Sequence, residues 1–429
     1  MMRVGLGRLG TWTYRRATAN IWAAQESQLL CRWSSSVGSE EVSEAAIVSE
    51  AVEAREVPRL PMPDLKNTCN EYVKQISVLV DKDDAERVSQ LAMSFCDGEG
   101  RDLHEELERL DKENSGGSWL SGFWESMYLN DRNPLPINTN PFFILENIVH
   151  ESDRHPQLSS SARLIRSTAK FHHRMRTGQM PQEMQGDLPL CSRQLPRLLA
   201  SARVPGSVRD TYESYPDSNH VVVCLNGFFF AFQVLDSDGN LISQVDCEKV
   251  IQKCIKMAMD ENVMMEGSVP NNFTALDRST WAELRSEITA SSPLNEGILT
   301  TIDRAIAVFH VVVEDVQGGA MEDELSEEQK LDLLGQHALT PDNGWFDKLQ
   351  FFVHQDGRYG VNMEHTAVDG HSLLSFLKYM IDDVKVGVPT EAGVMERPKP
   401  VGLYFQLDEK FQEIFKRAAE TSTESRHSV

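Results

Sequence analysis

Apolar and polar residues alternate most cleanly along two stretches of this chain, and both read as β-hairpins. In the first, Val221 to Leu225 and Phe228 to Leu235 flank Asn226-Gly227. An Asn-Gly between apolar runs is a strong hairpin signal, because both central residues need positive φ. In the second, Leu349, Phe351 and Val353 alternate with Gln350, Phe352 and His354, and Asp356-Gly357 turns the chain. On the return Tyr359, Val361, Met363 and His365 share one face, and Glu364 points away from it.

A period of 3.6 predicts helices elsewhere. Tyr72, Ile76, Leu79 and Val80 are spaced for one face, as are Leu103, Leu107 and Leu110, with Gly116-Gly117 ending that block. The same spacing covers Arg163 to Arg176, Val250 to Met259, Trp281 to Ile288, and the set Leu373, Leu377, Met380, Ile381 and Val384. Val308 to Val313 reads as a short buried strand, and Glu322 to Leu334 as an acidic surface helix. The closely spaced prolines of Val57 to Pro63 force an extended opening. Residues 132–141 are irregular, and Pro389 to Pro400 is a linker. Val401 to Leu407 then predicts a strand, and Glu409 to Ala419 a helix. Strands interspersed with helices place the chain in the α/β class, with a mixed sheet and flanking helices.

Composition changes the picture in three places. The formal charge of −23 argues against nucleic-acid binding, which needs a basic stripe. Seven cysteines form no C-x-x-C pair and read as buried hydrophobes in a reducing compartment. Residues 1–39 carry Arg3, Arg8, Arg15, Arg16 and Arg32 against the single acid Glu26, with Ser34-Ser35-Ser36 following. That composition predicts a mitochondrial transit peptide, with 40–56 as a solvated linker. No apolar run approaches the roughly 18 residues that span a bilayer, so no transmembrane helix is expected.

Candidate chemistry concentrates at His365. A lone strand histidine is most often a hydrogen-bonded core residue. Here Asp369-Gly370 follows at once, with a helix beginning behind the turn. A histidine so placed can act as a general base, as proton abstraction from an alcohol or thiol requires. Asp369 can hold the imidazole in one orientation or cap the helix, and the two roles are compatible. His172 and His173 are read as solvated. His337, His354 and His371 lack metal-ligand partners at useful spacing, so no metal site is expected. Phe228 to Phe232 is read as core rather than as an acyl tunnel.

The run His365-Thr366-Ala367-Val368-Asp369-Gly370 has the His-x-x-x-Asp-Gly pattern of CoA-dependent acyltransferases. Val57 to Pro63 with Leu65 and Thr68, Asp131 to Asn138, Pro189-Leu190-Cys191, Ala202-Arg203-Val204-Pro205-Gly206 and Trp345-Phe346-Asp347-Lys348 follow in the order of one family. In these landmarks the chain resembles the choline/carnitine acyltransferases. Gly100 to Lys112 and Trp124 to Tyr128 look most like the mitochondrial carnitine palmitoyltransferase II branch.

The resemblance implies a chloramphenicol acetyltransferase-like fold and reversible acyl transfer between CoA and carnitine, of medium or long chains, without an acyl-enzyme. His365 would be the base, Asp369 its supporting carboxylate, and Trp124 and Tyr128 a wall near the carnitine end. It implies no resident cofactor, CoA and acyl-CoA being substrates. It also implies a matrix or matrix-face location with peripheral inner-membrane contact.

The expected organisation is a catalytic domain over 57–395, the start of a truncated second domain over 396–419, and a disordered tail over 420–429. Thr211 to Ser214 and Thr421-Ser422-Thr423 look like second-half motifs but are read as loop and tail. Gly344 stands where the family has arginine, and one residue is missing between Lys348 and Leu349. The rival expectation is a catalytically incomplete fragment, a splice product or partial gene model, with at most a binding role. A further alternative replaces carnitine with another alcohol such as choline.

Overall fold

The structure, a computed structural model, describes residues 57–113, 118–145, 148–150, 153–225, 227–259, 271–312, 326, 344–386, 395–407 and 411. The predicted transit peptide, linker and tail lie outside these residues. So do Gly116-Gly117, all but Ser326 of the acidic stretch from Glu322, and all but Phe411 of the helix expected from Glu409. Contacts divide the chain into two compact units. One holds the described parts of Tyr128–Gln182 and Cys191–Val429, the other those of Glu53–Met127 and Glu183–Leu190.

The smaller unit is built on α1 (Leu65–Ile76), α2 (Lys82–Asp97) and α3 (Glu99–Glu113). Asp64 caps α1 by accepting the Asn67 N–H, and Asp81 caps α2 by accepting that of Asp84. The single face expected from Tyr72 to Val80 is not formed. Helix α1 stops at Ile76, and Val78 and Leu79 are 80% and 74% exposed in the turn. The cap at Asp81 restarts the chain, and local capping there overrides the apolar spacing. The proline-rich opening is pinned to α3 by Arg59, 2.6 Å from Asp111.

Helix α4 (Ser121–Asn130) enters the larger unit only at Tyr128, near its end, and a short turn of helix follows Pro134. The chain continues through β1 (Phe142–Ile144), α5 (Pro156–Arg176), β2 (Ser201–Val204), β3 (Thr211–Ser214), β4 (His220–Leu225) and β5 (Phe228–Gln233). Next come α6 (Gln244–Ala258), α7 (Arg278–Ser291), α8 (Pro293–Arg304), β6 (Val308–Val311), β7 (Gln350–Val353), β8 (Tyr359–Asn362), α9 (Gly370–Val386) and β9 (Val401–Leu403).

Seven strands form one mixed sheet in the order β1-β8-β7-β6-β4-β5-β9. The central trio β7, β6 and β4 is parallel and the flanking pairs are antiparallel. Both predicted hairpins are present, as β4–β5 and β7–β8, with Gly227 and Gly357 at φ 84° and 83°. A side chain at Gly357 would also strike Val149 and Ser160, so this turn needs glycine twice over. Thr211 to Ser214, expected as loop, is strand β3, paired antiparallel with β2.

Register fixes the two faces of the sheet. Val223, Phe309, Phe351 and Val361 lie side by side across four strands. They share one apolar core with Leu164, Ile165 and Phe171 of α5, Val250 and Ile251 of α6, and Leu373 and Phe376 of α9. The opposite face is divided. Over β4 and β5, Val222 and Phe229 meet Trp281 of α7 and Ile298 and Ile302 of α8. Over β6 to β8 buried polar groups sit beside Phe352: Gln350 Oε1 lies 2.8 Å from His310 Nε2, and Asn140 Nδ2 donates to Asn362 Oδ1. The predicted core reading of Phe228 to Phe232 agrees with this, since those rings are divided between the two apolar clusters.

Two expectations about single residues fail. His172, read as solvated, is buried on the inner side of α5 and donates Nε2–H to Ser218 O at 3.1 Å. The basic residues around it face elsewhere on the helix. Cys69, Cys224, Cys247 and Cys254 are buried as expected, but Cys191 is exposed.

A cluster of buried charges ties these elements together. Asp210 Oδ2 accepts from Arg203 Nε at 2.8 Å and Arg278 Nε at 2.7 Å, and its Oδ1 from Arg132 Nη1 at 2.6 Å. Arg278 Nη1 continues to Asp347 Oδ1 at 2.7 Å, and Asp347 Oδ2 accepts from Trp281 Nε1 at 2.8 Å. Burial alone would raise the Asp210 carboxyl, but Arg278 and Arg203 outweigh it and hold that group below its usual range. Paired charges are tolerable in the interior; an orphaned one is not.

Four outcomes follow from this packing. Arg278→Met leaves Asp210 and Asp347 short of a buried partner, and denaturant unfolding is expected to show a loss of about 3–5 kcal/mol. Arg109→Met, on the exposed ion pairs of α3, is expected to leave the midpoint unmoved. Burial pushes His172 down to about 4 and His310 down to about 3, so both stay neutral in the fold near pH 5. The unfolded chain takes up those protons below about pH 6.5, so stability should fall as pH drops from 6.5 towards those values. His172→Gln, which can still donate to Ser218, should narrow the stability difference between pH 7 and pH 5 by on the order of 1–2 kcal/mol.

Candidate active site

Strand β8 ends at Asn362, and Met363, Glu364 and His365 carry the chain out of the sheet. Met363 stays anchored in the first apolar core, and its N–H donates to Pro141 O at 3.0 Å. His365 therefore leaves a fixed strand end three residues beyond its last pair, and its side chain is only partly covered. The imidazole lies over the ring of Tyr128, with centroids 5.4 Å apart and planes 16° apart. Both residues belong to the larger unit. Trp124 lies on the part of α4 that falls in the smaller unit.

Glu364, expected to point away from the covered face, does so into the protein rather than into water. It is 3% exposed. Its Oε2 accepts the Thr366 N–H at 3.0 Å and its Oε1 accepts the Thr366 hydroxyl at 2.5 Å, closing a ring around the His365 backbone. Arg203 Nη1 lies 3.5 Å from Glu364 Oε1 and 3.4 Å from Thr366 Oγ1. Burial raises the Glu364 carboxyl, and Arg203 and the two Thr366 bonds act against that rise.

Asp369 accepts the Ser372 N–H on Oδ1 at 2.9 Å, which is the N-cap of α9. Its own N–H donates to Gln194 Oε1 at 2.8 Å, and Ser372 Oγ donates to the same oxygen at 3.0 Å. Gln194 thus fixes the first turn of α9 from outside that helix. Ahead of the hairpin, a side chain at Gly344 would come within 2.4 Å of the Phe346 ring, so an arginine there would require that ring to move.

Sequence reasoning singled out His365, Asp369, Tyr128 and Trp124. It missed Glu364, Thr366, Gln194 and Arg203 as parts of the site. Arg203 stood inside the Ala202 to Gly206 landmark, and a fully buried arginine demands a carboxylate partner. Its burial, however, shows only in the fold. Among the described residues no group of three or more His, Cys, Asp or Glu side chains could hold a metal ion. No helix among them is long and apolar enough to cross a membrane. Chemically, the site offers an imidazole on a fixed loop, one face against an aromatic ring and a buried carboxylate beside it, a group of the kind that can accept and return a proton.

The comparisons with known proteins meet at this point. The family model described as Choline/Carnitine o-acyltransferase matches residues 60–428. Mitochondrial carnitine O-palmitoyltransferase 2 of Bos taurus is 29% identical over 361 residues, covering 76% of this chain and 52% of the relative. Choline O-acetyltransferase of Sus scrofa is 32% identical over 390 residues, covering 85% and 58%. The chain thus spans a little over half the length of these relatives. A solved chloramphenicol acetyltransferase overlays 62% of this chain and 96% of its own, at 10% identity and a TM-score of 0.26. With the family model spanning both the hairpin and the His365 turn, this chain belongs to the choline/carnitine O-acyltransferase family.

Proposed function

We propose that this chain moves a fatty acyl group reversibly between CoA and carnitine, with His365 as general base. The observation that carries the reading is the half-open imidazole of His365, stacked on Tyr128 at the end of a pinned strand, in a member of this family. In the forward direction His365 takes the hydroxyl proton of carnitine as its oxygen attacks the thioester carbonyl. The C–S bond breaks, and the CoA thiolate recovers the proton from the imidazolium. No acyl-enzyme forms. Asp369 serves through the α9 cap, which holds the turn behind His365, and Tyr128 walls the carnitine end. CoA and its thioester are substrates, so no resident cofactor is invoked.

The palmitoyl specificity in the name of the bovine relative supports longer chains. One observation favours a second acceptor: the porcine choline enzyme is the more identical of the two relatives, so choline is the competing alcohol. Mitochondrial residence, in the matrix or at its face of the inner membrane, rests on the arginine-bearing residues 1–39 and on the relative named mitochondrial.

The test incubates the full chain with palmitoyl-CoA and carnitine, and separately with acetyl-CoA and choline, following product by mass spectrometry. Acylcarnitine is expected from the first pair. Acetylcholine alone would move the acceptor to choline, and product from neither pair would leave a chain with at most a binding role. His365→Ala should lower a demonstrated rate by about 10²–10⁴-fold with the fold intact, and an unchanged rate would remove His365 from the reaction. A C-terminally tagged chain is expected in the mitochondrial fraction, shortened at its N-terminus.

A further inference from the structure

We propose that Glu364 and Arg203 are positioning residues: together they set the His365 imidazole against Tyr128. This inference rests on the reading of His365 as the base, and deepens it. Three observations carry it. First, the Glu364 carboxylate spans His365, taking both the N–H and the hydroxyl of Thr366, at 3.0 and 2.5 Å. A side chain bonded to the residue two positions on leaves the His365 backbone little freedom. Second, Arg203 reaches both walls of the site. Its Nη1 faces Glu364 and Thr366, while its Nη2 donates to Tyr128 O at 2.7 Å and Asp131 O at 3.1 Å. One guanidinium therefore sets the spacing between the Tyr128 backbone and the His365 loop. Third, Arg203 is itself held: its Nε donates to Asp210 and its backbone N–H to Asp347 O at 2.9 Å. Its planar fork makes all these contacts in one orientation, which lysine cannot do.

Asp369 occupies the position where a supporting carboxylate was expected, yet its carboxylate caps α9. The carboxylate that ties together the two residues flanking His365 is that of Glu364, which holds Thr366. Displacing the imidazole by an ångström is enough to cost a reaction about 10²-fold, so the ring in which it sits matters to rate more than to affinity.

The experiment uses the full chain and two readouts. Histidine labelled with carbon-13 gives the ring resonances, and His365→Gln assigns the His365 signal. In the wild type that signal should carry the upfield shift of a ring stacked on Tyr128, and Tyr128→Leu should remove the shift. Glu364→Gln puts an amide opposite Arg203 and is expected to move the His365 signal and lower kcat by about 10- to 100-fold, with KM within about twofold. Arg203→Lys should do the same, whereas Thr366→Ser, which keeps both donors to Glu364, should leave the His365 signal at its wild-type position. Thr366→Val loses only the hydroxyl; it should shift the signal in the same direction by less, and it decides the matter should Glu364→Gln fail to fold.

A Glu364→Gln protein with the wild-type His365 signal and kcat overturns the proposal. A loss of thermal stability alone, with signal and kcat kept, also overturns it, because it would mark a merely structural pair. Should the wild type transfer no acyl group, the ring signal still decides whether Glu364 positions His365, and only the reading of the base is lost.

Discussion

The guanidinium of Arg203 is the contact on which the rest of this molecule's organisation depends. It has no exposed surface, and each of its nitrogens faces an acceptor. A buried cation persists only where the surrounding chain supplies anions and carbonyls in the right places. Here they come from the end of α4 and the residues just after it, the turn after β2 and the turn after β8. Arg132, Arg203 and Arg278 are matched by Asp210, Asp347 and Glu364, so the cluster carries no net formal charge. Apolar packing holds the first face of the sheet to α5, α6 and α9. The charge cluster holds the loops beyond the strands, where packing alone gives no orientation.

Function follows from the junction of those two systems. Strand β8 is secured by β1 and β7 on either side and by Met363 in the core. One residue later the chain enters the charge cluster at Glu364, and then presents His365. The imidazole is thus carried by a strand end held on both sides and is still partly open. General-base chemistry needs that combination: a ring held to within a fraction of an ångström, but with one side free for substrate.

Much of this was legible in the sequence, for physical reasons. The two hairpins announce themselves because alternation and turn residues are local signals, and Gly227 and Gly357 sit where positive φ is required. Long helices such as α5, α6, α7 and α9 show through their apolar faces. Strands β1, β2 and β3, of three, four and four residues, did not; β6 to β9 are as short, but β7 and β8 flank a turn signal and β6 and β9 sit in longer apolar runs. Helix α8 was likewise passed over, though Ser292 followed by Pro293 is a helix-start signal. The charge cluster was illegible because its members lie far apart along the chain and no spacing joins them. His172 was misjudged from its basic neighbours, when the face of the helix, and not its composition, decides burial.

The central claim is that the His365 loop is clamped by buried charge rather than by packing. Amide hydrogen exchange of Thr366, whose N–H is taken by Glu364, tests it most directly. In the wild type this amide should exchange as slowly as those of the central strands, such as Val223 and Phe309. In Arg203→Lys it should exchange far faster while the strand amides keep their protection. Equal protection of Thr366 in the two proteins would contradict the account, because the loop would then be held without Arg203.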